Sequence, residues 1–151
     1  MPAVPGLVLS LHVAPGSRLP MERLQEAELA PDGVVGDFHR GRPGSAPILL
    51  QDEEPLLELD LAPGVVMENV TVRGLPVNGL SPGTRIALGP TVVEVLEECR
   101  PCSRMEEIRP GLRRQLRGRR GTYARVVAPG TVRVGDAVAV VEAPERAAPP
   151  G

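Results

Sequence analysis

The chain has no lysine and no tryptophan, and its aromatic residues are confined to one Phe and one Tyr. All 17 basic residues are arginine. A pyridoxal-phosphate enzyme holds its cofactor as a Schiff base on a lysine. The missing lysine therefore excludes an internal pyridoxal phosphate Schiff base, and with it a self-contained enzyme of that class. Nucleic-acid surfaces stack bases on aromatic rings, so the shortage of rings disfavours nucleic acid as a partner, and the net charge of −2 points the same way. No apolar run approaches the roughly 18 residues that a spanning helix needs. Met1-Pro2-Ala3-Val4-Pro5-Gly6 lacks the basic start and apolar centre of a signal peptide. No membrane association and a cytoplasmic location are the expectation. Two cysteines are too few for a disulfide framework in 151 residues, which agrees with a reducing compartment.

What the chain has in quantity is Gly and Pro, 17 and 18 residues, set against 42% apolar residues that fall into short periodic runs. Leu7, Leu9, Leu11 and Val13 alternate with Val8, Ser10 and His12, the period of a half-buried strand. Further short runs lie at 47–50, 69–72, 85–88, 92–96, 123–127, 132–134 and 137–141, separated by Pro-Gly, Asn-Gly, Gly-Pro and Gly-Asp turn signals. Helical patterns are confined to Glu53 to Leu59 and Pro110 to Leu116, with a further helix start possible after Ser103. Pro82 to Val95 and Pro129 to Val141 echo one another, and both read as hairpins forming equivalent corners of one closed barrel. The expected fold is a mostly β, compact closed barrel with one or two short helices. It covers residues 6–142, followed by a disordered tail over 143–151 where the chain turns to Ala, Pro and charge.

Four polar clusters stand out. Cys102 follows a proline between Arg100 and Arg104, where cations lower a thiol's pKa, whereas Cys99 ends a strand behind Glu97 and Glu98. On local sequence Cys102 is either a reactive thiolate or a small packed hydrophobe. Gly36-Asp37-Phe38-His39 sets an acid and an imidazole one residue apart, either a capped turn or a ligand-facing pair. Glu68-Asn69 opens a strand. Arg113, Arg114, Arg117, Arg119 and Arg120 crowd ahead of Thr122-Tyr123-Ala124-Arg125, either as a solvated face or as a grip on a small phosphorylated ligand.

Taken in order, Ser10-Leu11-His12, Gly36-Asp37-Phe38-His39, Glu68-Asn69-Val70-Thr71-Val72-Arg73-Gly74, Pro82-Gly83-Thr84, Leu88-Gly89, Arg100-Pro101-Cys102 and Gly121-Thr122-Tyr123-Ala124-Arg125-Val126 resemble the MOSC domain, the family named for the C-terminal portion of molybdenum cofactor sulfurases. The resemblance implies a barrel-like fold. It implies a molybdenum-cofactor-binding or sulfur-carrier protein in which Cys102 bears a persulfide or ligates molybdenum. Asp37, His39, Glu68, Asn69, Arg100, Arg119, Arg120, Tyr123 and Arg125 would orient the molybdopterin or another small anionic ligand, and a sulfur-donor desulfurase or a molybdoenzyme would be the partner.

Two departures from the family pattern are visible. Gly44-Ser45-Ala46-Pro47 replaces a basic residue before the strand at Ile48, leaving Arg42 to substitute for it, and Cys99 makes a Cys-x-x-Cys with Cys102. The second keeps a thiol redox module open as a rival. A noncatalytic RNA- or partner-binding barrel is the other.

Overall fold

Alternation of β-branched and small residues builds the strands, and the strands close on themselves. The structure is a computed structural model and describes residues 6–43 and 47–143. Its strands are β1 (Gly6–Val13), β2 (Glu22–Leu24), β3 (Glu26–Ala30), β4 (Gly33–Val34), β5 (Ile48–Asp52), β6 (Val70–Arg73), β7 (Arg85–Leu88), β8 (Thr91–Glu98), β9 (Thr122–Ala128), β10 (Gly130–Arg133) and β11 (Ala137–Glu142). Seven of them form a closed barrel in the order β1-β11-β7-β8-β9-β5-β6, β6 returning to β1, with β2 added along β1. Closure leaves those seven strands without a free hydrogen-bonding edge. The barrel is filled by Val8, Leu11, Leu50, Val70, Ile86, Leu88, Val93 and their neighbours.

The alternation in β1 breaks once. A register shift between Val8 and Ser10 against β6 moves the inward face, so that Val8 and Leu11 are both in the core while Leu7 and Leu9 are half-buried. A one-residue slip exchanges the two faces of a strand. Downstream of it Leu11 and Val13 face the core, and His12, on the opposite face, is buried against the turn at Gly64.

The expected second hairpin does not form. β7 and β8 pair across Gly89-Pro90, but β10 pairs with β3 in a separate three-stranded sheet, and β11 pairs with β7 and β1. Asp136 causes the divergence: its carboxylate accepts the Arg133 N–H at 2.7 Å, and its own N–H donates to the Arg133 carbonyl at 3.0 Å. This tight turn sends β11 into the barrel wall rather than back along β10.

The three short helices are α1 (Glu53–Glu58), α2 (Arg104–Ile108) and α3 (Leu112–Gln115). Pro55 is tolerated in the first turn of α1 because an N–H there would have no intrahelical partner. α1 also supplies part of the crossover required by β5 and β6, the one parallel pair among the described residues. The expected helix over 110–116 is confined to α3. Arg109, preceding Pro110, is extended (φ −163°) and Gly111 is left-handed (φ 87°), which separates α2 from α3. Leu56, Val66, Met105, Leu112 and Leu116 form a second small core at one end of the barrel. Residues 1–5, 44–46 and 144–151, including the Gly44-Ser45-Ala46 departure and nearly all of the expected tail, lie outside the described residues.

Candidate functional site

Asp37 and Asn69 stitch three segments together. Asp37 Oδ1 accepts the Ala14 N–H at 2.7 Å and an Asn69 Nδ2–H at 3.3 Å, while Oδ2 accepts the His39 N–H at 3.0 Å. Asn69 Oδ1 in turn accepts the Leu49 N–H at 3.0 Å, and Nδ2 also donates to the His12 carbonyl at 3.1 Å. Both side chains are buried polar groups whose contacts hold the loop after β4 against β1 and β5. His39, fixed through its own backbone, leaves its ring about half exposed, with Nδ1 3.4 Å from Asp37 Oδ2.

Beneath this pair lies a buried carboxyl. Glu68 is fully buried, and its Oε2 accepts the Thr71 hydroxyl at 2.7 Å, whereas Oε1 has no partner among the described residues. Burial pushes its pKa up, opposed by hydrogen bonds from Gly64 and Thr71. His12 Nδ1 lies 3.0 Å from the Glu68 carbonyl and Nε2 lies 3.0 Å from the Ser10 hydroxyl. A carbonyl only accepts, so Nδ1 carries the proton, and burial, the largest influence, lowers the pKa of the ring. The turn that presents Glu68 is tight. Gly64 is left-handed (φ 92°) and a Cβ there would stand 3.0 Å from the His12 ring, while Met67 holds φ 66°, a conformation that bulky residues seldom adopt.

The third group is buried between barrel and helices. Arg120 Nη1 stands 2.6 Å from Cys99 Sγ, Nη2 donates to the Val66 carbonyl at 2.9 Å, and Nε lies 3.4 Å from Met105 Sδ. Cys99 Sγ is 3.1 Å from the Tyr123 hydroxyl. The Tyr123 pKa is pushed up to about 12, first by desolvation, then by its hydrogen bond to Cys99 and by the charges of Cys99 and Cys102, with Arg120 opposing. Gly121 makes this geometry possible: it is left-handed (φ 96°), and a Cβ would fall 2.4 Å from the Leu50 carbonyl.

Asp37, His39, Asn69, Arg120 and Tyr123 thus meet at one cavity of about 510 Å³, walled also by Met21, Ile48, Leu49, Met67 and Glu97. Glu68, fully buried, is not part of that lining. The other expected residues sit elsewhere. Cys102 is an exposed free thiol outside the cavity lining, on the turn where its carbonyl accepts the Met105 N–H at 3.0 Å; its charge nonetheless reaches Tyr123. Arg100 is exposed and lines a different cleft. Arg119 points outward to Glu58 and the Gln115 carbonyl, and Arg125 pairs with Glu94 at 2.9 Å on the outer face of β8 and β9. Arg42 stacks on Phe38, 3.7 Å from its ring centroid, and donates to the Phe38 carbonyl.

Sequence reasoning missed the part played by Cys99, which expected Glu97 and Glu98 as its electrostatic neighbours. Both acids are exposed, and the cation at Cys99 is Arg120. Alternation along β8 did not reveal it: Thr91, Val93 and Val95 are buried, but the register against β9 shifts between Val95 and Glu98, so that Glu97, of the same parity, is exposed while Cys99 is buried. No group of three or more His, Cys, Asp or Glu side chains among the described residues is arranged to hold a metal by itself. The polar wall of the cavity sets Arg120, Tyr123, His39 and Asn69 beside the carboxylates Asp37 and Glu97.

The MOSC domain family pattern matches residues 49–139, a span that holds Glu68, Asn69, both cysteines, Arg120 and Tyr123. Among solved structures the chain is similar to the YuaD protein from Bacillus subtilis, with a TM-score of 0.76 and 20% identity over 88% of this chain and 93% of that one. It is also similar to YiiM from Geobacillus stearothermophilus, with a TM-score of 0.74 and 19% identity over 91% of this chain and 76% of that one. YiiM from Escherichia coli gives a TM-score of 0.64 and 18% identity over 91% of this chain and 69% of that one. These likenesses are of fold. No curated protein matches the chain in sequence.

Proposed function

The chain belongs to the MOSC domain family, and from that premise we propose that it is a sulfur-carrier protein whose working thiol is Cys102, operating beside a cavity that takes a small anionic ligand. The observation that carries this reading is the contrast between the two thiols. Cys102 is exposed, whereas Cys99 is buried against Arg120 and Tyr123. A thiol that receives sulfur from one protein and hands it to another must be reachable by both. Loading forms a new S–S bond between Cys102 Sγ and the terminal sulfur of a donor persulfide, and the donor thiolate leaves. No external oxidant is needed.

The cavity supports a second reading, in which the anionic ligand is the molybdenum cofactor that the family is associated with. Its volume lies in the range of small-molecule sites. Arg120, Tyr123 and His39, in a wall they share with Asp37 and Glu97, would face the anionic group, and the soft thiolate of Cys102, outside that lining, would be the metal's protein ligand. The cofactor, when bound, would supply redox and oxygen- or sulfur-transfer chemistry. The chain's own contribution would be to hold the anion on Arg120 and to keep His39 in place through Asp37. No helix of the described residues is long and apolar enough to cross a membrane.

The test is to incubate the intact protein with a cysteine persulfide, quench with an alkylating reagent and locate the added sulfur by tandem mass spectrometry. Sulfur on Cys102 is the expected result. Sulfur on Cys99 alone, or a Cys99–Cys102 disulfide, would favour the redox rival.

A further inference from the structure

A second hollow shares no lining residue with the ligand cavity and takes part of its wall from the loop that bears Cys102. It is an open cleft of about 810 Å³ whose walls include Arg100 and Pro101 from that loop and Arg113, Arg114 and Arg117 from α3 and the turn after it. Many arginines elsewhere on the surface are matched with carboxylates, such as Arg18 with Glu107 and Arg73 with Glu53, each at 2.8 Å, although Arg23 and Arg104 are not matched among the described residues. Among the described residues, the guanidinium groups of these four cleft arginines form no ion pair and no hydrogen bond. Of the two acids in the wall, Glu106 is engaged by the backbone, accepting the Gly111 N–H at 3.0 Å and the Arg113 N–H at 2.9 Å. That contact lowers its pKa and fixes the start of α3, so the arginines are carried on a braced support. Leu112 and Leu116 anchor the same segment in the small core.

Four guanidinium groups facing two carboxylates make a site for a multiply charged anion, because each planar fork can grip a carboxylate or a phosphate through two parallel bonds. The occupant must also suit the shape. The cleft is open; Glu98 and Arg100 also line a neighbouring hollow of about 350 Å³, whose further charged wall residue is Glu97, so the cationic wall is that of the cleft itself. No aromatic side chain lines either hollow, so nothing is offered for a base to stack on. An extended, carboxylate-rich stretch of polypeptide fits both features. Its position adds the last element, since Pro101 in the wall is the residue immediately before Cys102.

We infer that this cleft docks an acidic segment of the protein that exchanges sulfur with Cys102, steering that partner's persulfide onto the exposed thiol. This rests on the sulfur-carrier reading of Cys102 and adds the chemistry of its partner. The exchange itself is the balanced step already described; the cleft contributes encounter rate and orientation. Surface charges of this kind act mainly on association, and the effect weakens with salt.

The test uses two synthetic donors, a polyglutamate peptide ending in a cysteine persulfide and a Gly-Ser peptide of equal length with the same end. At low salt the acidic donor should load Cys102 of the full chain about tenfold faster than the neutral one, an order-of-magnitude figure for a handful of exposed charges. The preference should vanish in Arg113→Gln/Arg114→Gln/Arg117→Gln, a variant that leaves Leu112, Leu116 and the cavity untouched, and it should vanish in the parent at high salt. Equal loading by the two donors overturns the inference while leaving Cys102 as carrier. If neither donor loads Cys102, the carrier reading fails, and binding of an unreactive polyglutamate peptide, measured by fluorescence anisotropy, then decides the cleft: no binding, or binding unaffected by the triple variant, overturns the docking site. A single-stranded oligonucleotide that binds more tightly than polyglutamate with the same arginine dependence also overturns it, in favour of a phosphate-bearing partner.

Discussion

Cys99 is the thiol that the buried guanidinium of Arg120 grips, at 2.6 Å from Nη1 to Sγ. Both are buried, Arg120 5% exposed and Cys99 6%, and Arg120 lines the ligand cavity. Cys102, three residues on, stands in solvent. The Cys-x-x-Cys spacing therefore separates a thiol that organises a cation from one that is free to react.

Tyr123 reports on this arrangement directly, because it is the only tyrosine in a chain without tryptophan. Its ionisation is expected at a pH of about 12, against about 10 for a free tyrosine. Cys99→Ala removes the hydrogen bond and the neighbouring sulfur charge but leaves the desolvation, so the midpoint should fall part of the way toward about 10. Ultraviolet difference titration, with circular dichroism confirming the fold at each pH, measures it. An unchanged midpoint would contradict the contact. Since the folded-state pKa lies above the unfolded one, the contribution of Tyr123 to stability is fully present below about pH 10 and is lost as pH rises toward 12.

Asp52 gives a second pH dependence at acid pH. Burial raises its pKa to about 6, against the Asn78 N–H that it accepts at 3.0 Å. The raised value means that its contribution is fully present below the unfolded pKa of about 4 and declines as pH rises through about 6. Asp52→Asn keeps an acceptor for Asn78 and cannot ionise. Urea midpoints across this range should therefore decline less steeply in the variant than in the parent; parallel curves would show that Asp52 is not the group responsible.

Arg119 and Arg120 should part company. Arg119→Ala breaks an exposed pair with Glu58 and should cost only about 0.2–1 kcal/mol. Arg120→Ala strips Cys99, Val66 and Met105 of a buried partner and should cost about 2–4 kcal/mol. Equal losses in chemical denaturation would contradict the placement of the two side chains.

Much of the barrel was legible because its strands obey a period of two and end at Pro-Gly, Asn-Gly or Gly-Pro. Segment 22–34 was not. β2 and β4 are three and two residues long, too short to show a period, and the alternation of β3, Glu-Ala-Glu-Leu-Ala, offers only Ala27 and Leu29 on its buried face. The partner of β10 was hidden for a different reason: the choice between β3 and β11 is made by the Asp136 turn, a tertiary outcome that a local repeat does not encode. In the site, the order of the motifs drew attention to Asp37, His39, Asn69, Arg120 and Tyr123, and the cavity brings these five together. Adjacent arginines look alike in a sequence, whereas the chain at Arg119-Arg120 turns one outward and the other inward just before Gly121.

The reading stands or falls on which thiol carries sulfur. Cys102→Ser and Cys99→Ser should be exposed side by side to a cysteine persulfide, and the protein-bound sulfane sulfur then measured by release with cyanide. The account predicts near-complete loss in Cys102→Ser and loading close to the parent's in Cys99→Ser. Equal losses in the two variants, together with an intramolecular Cys99–Cys102 disulfide in the parent, would contradict it.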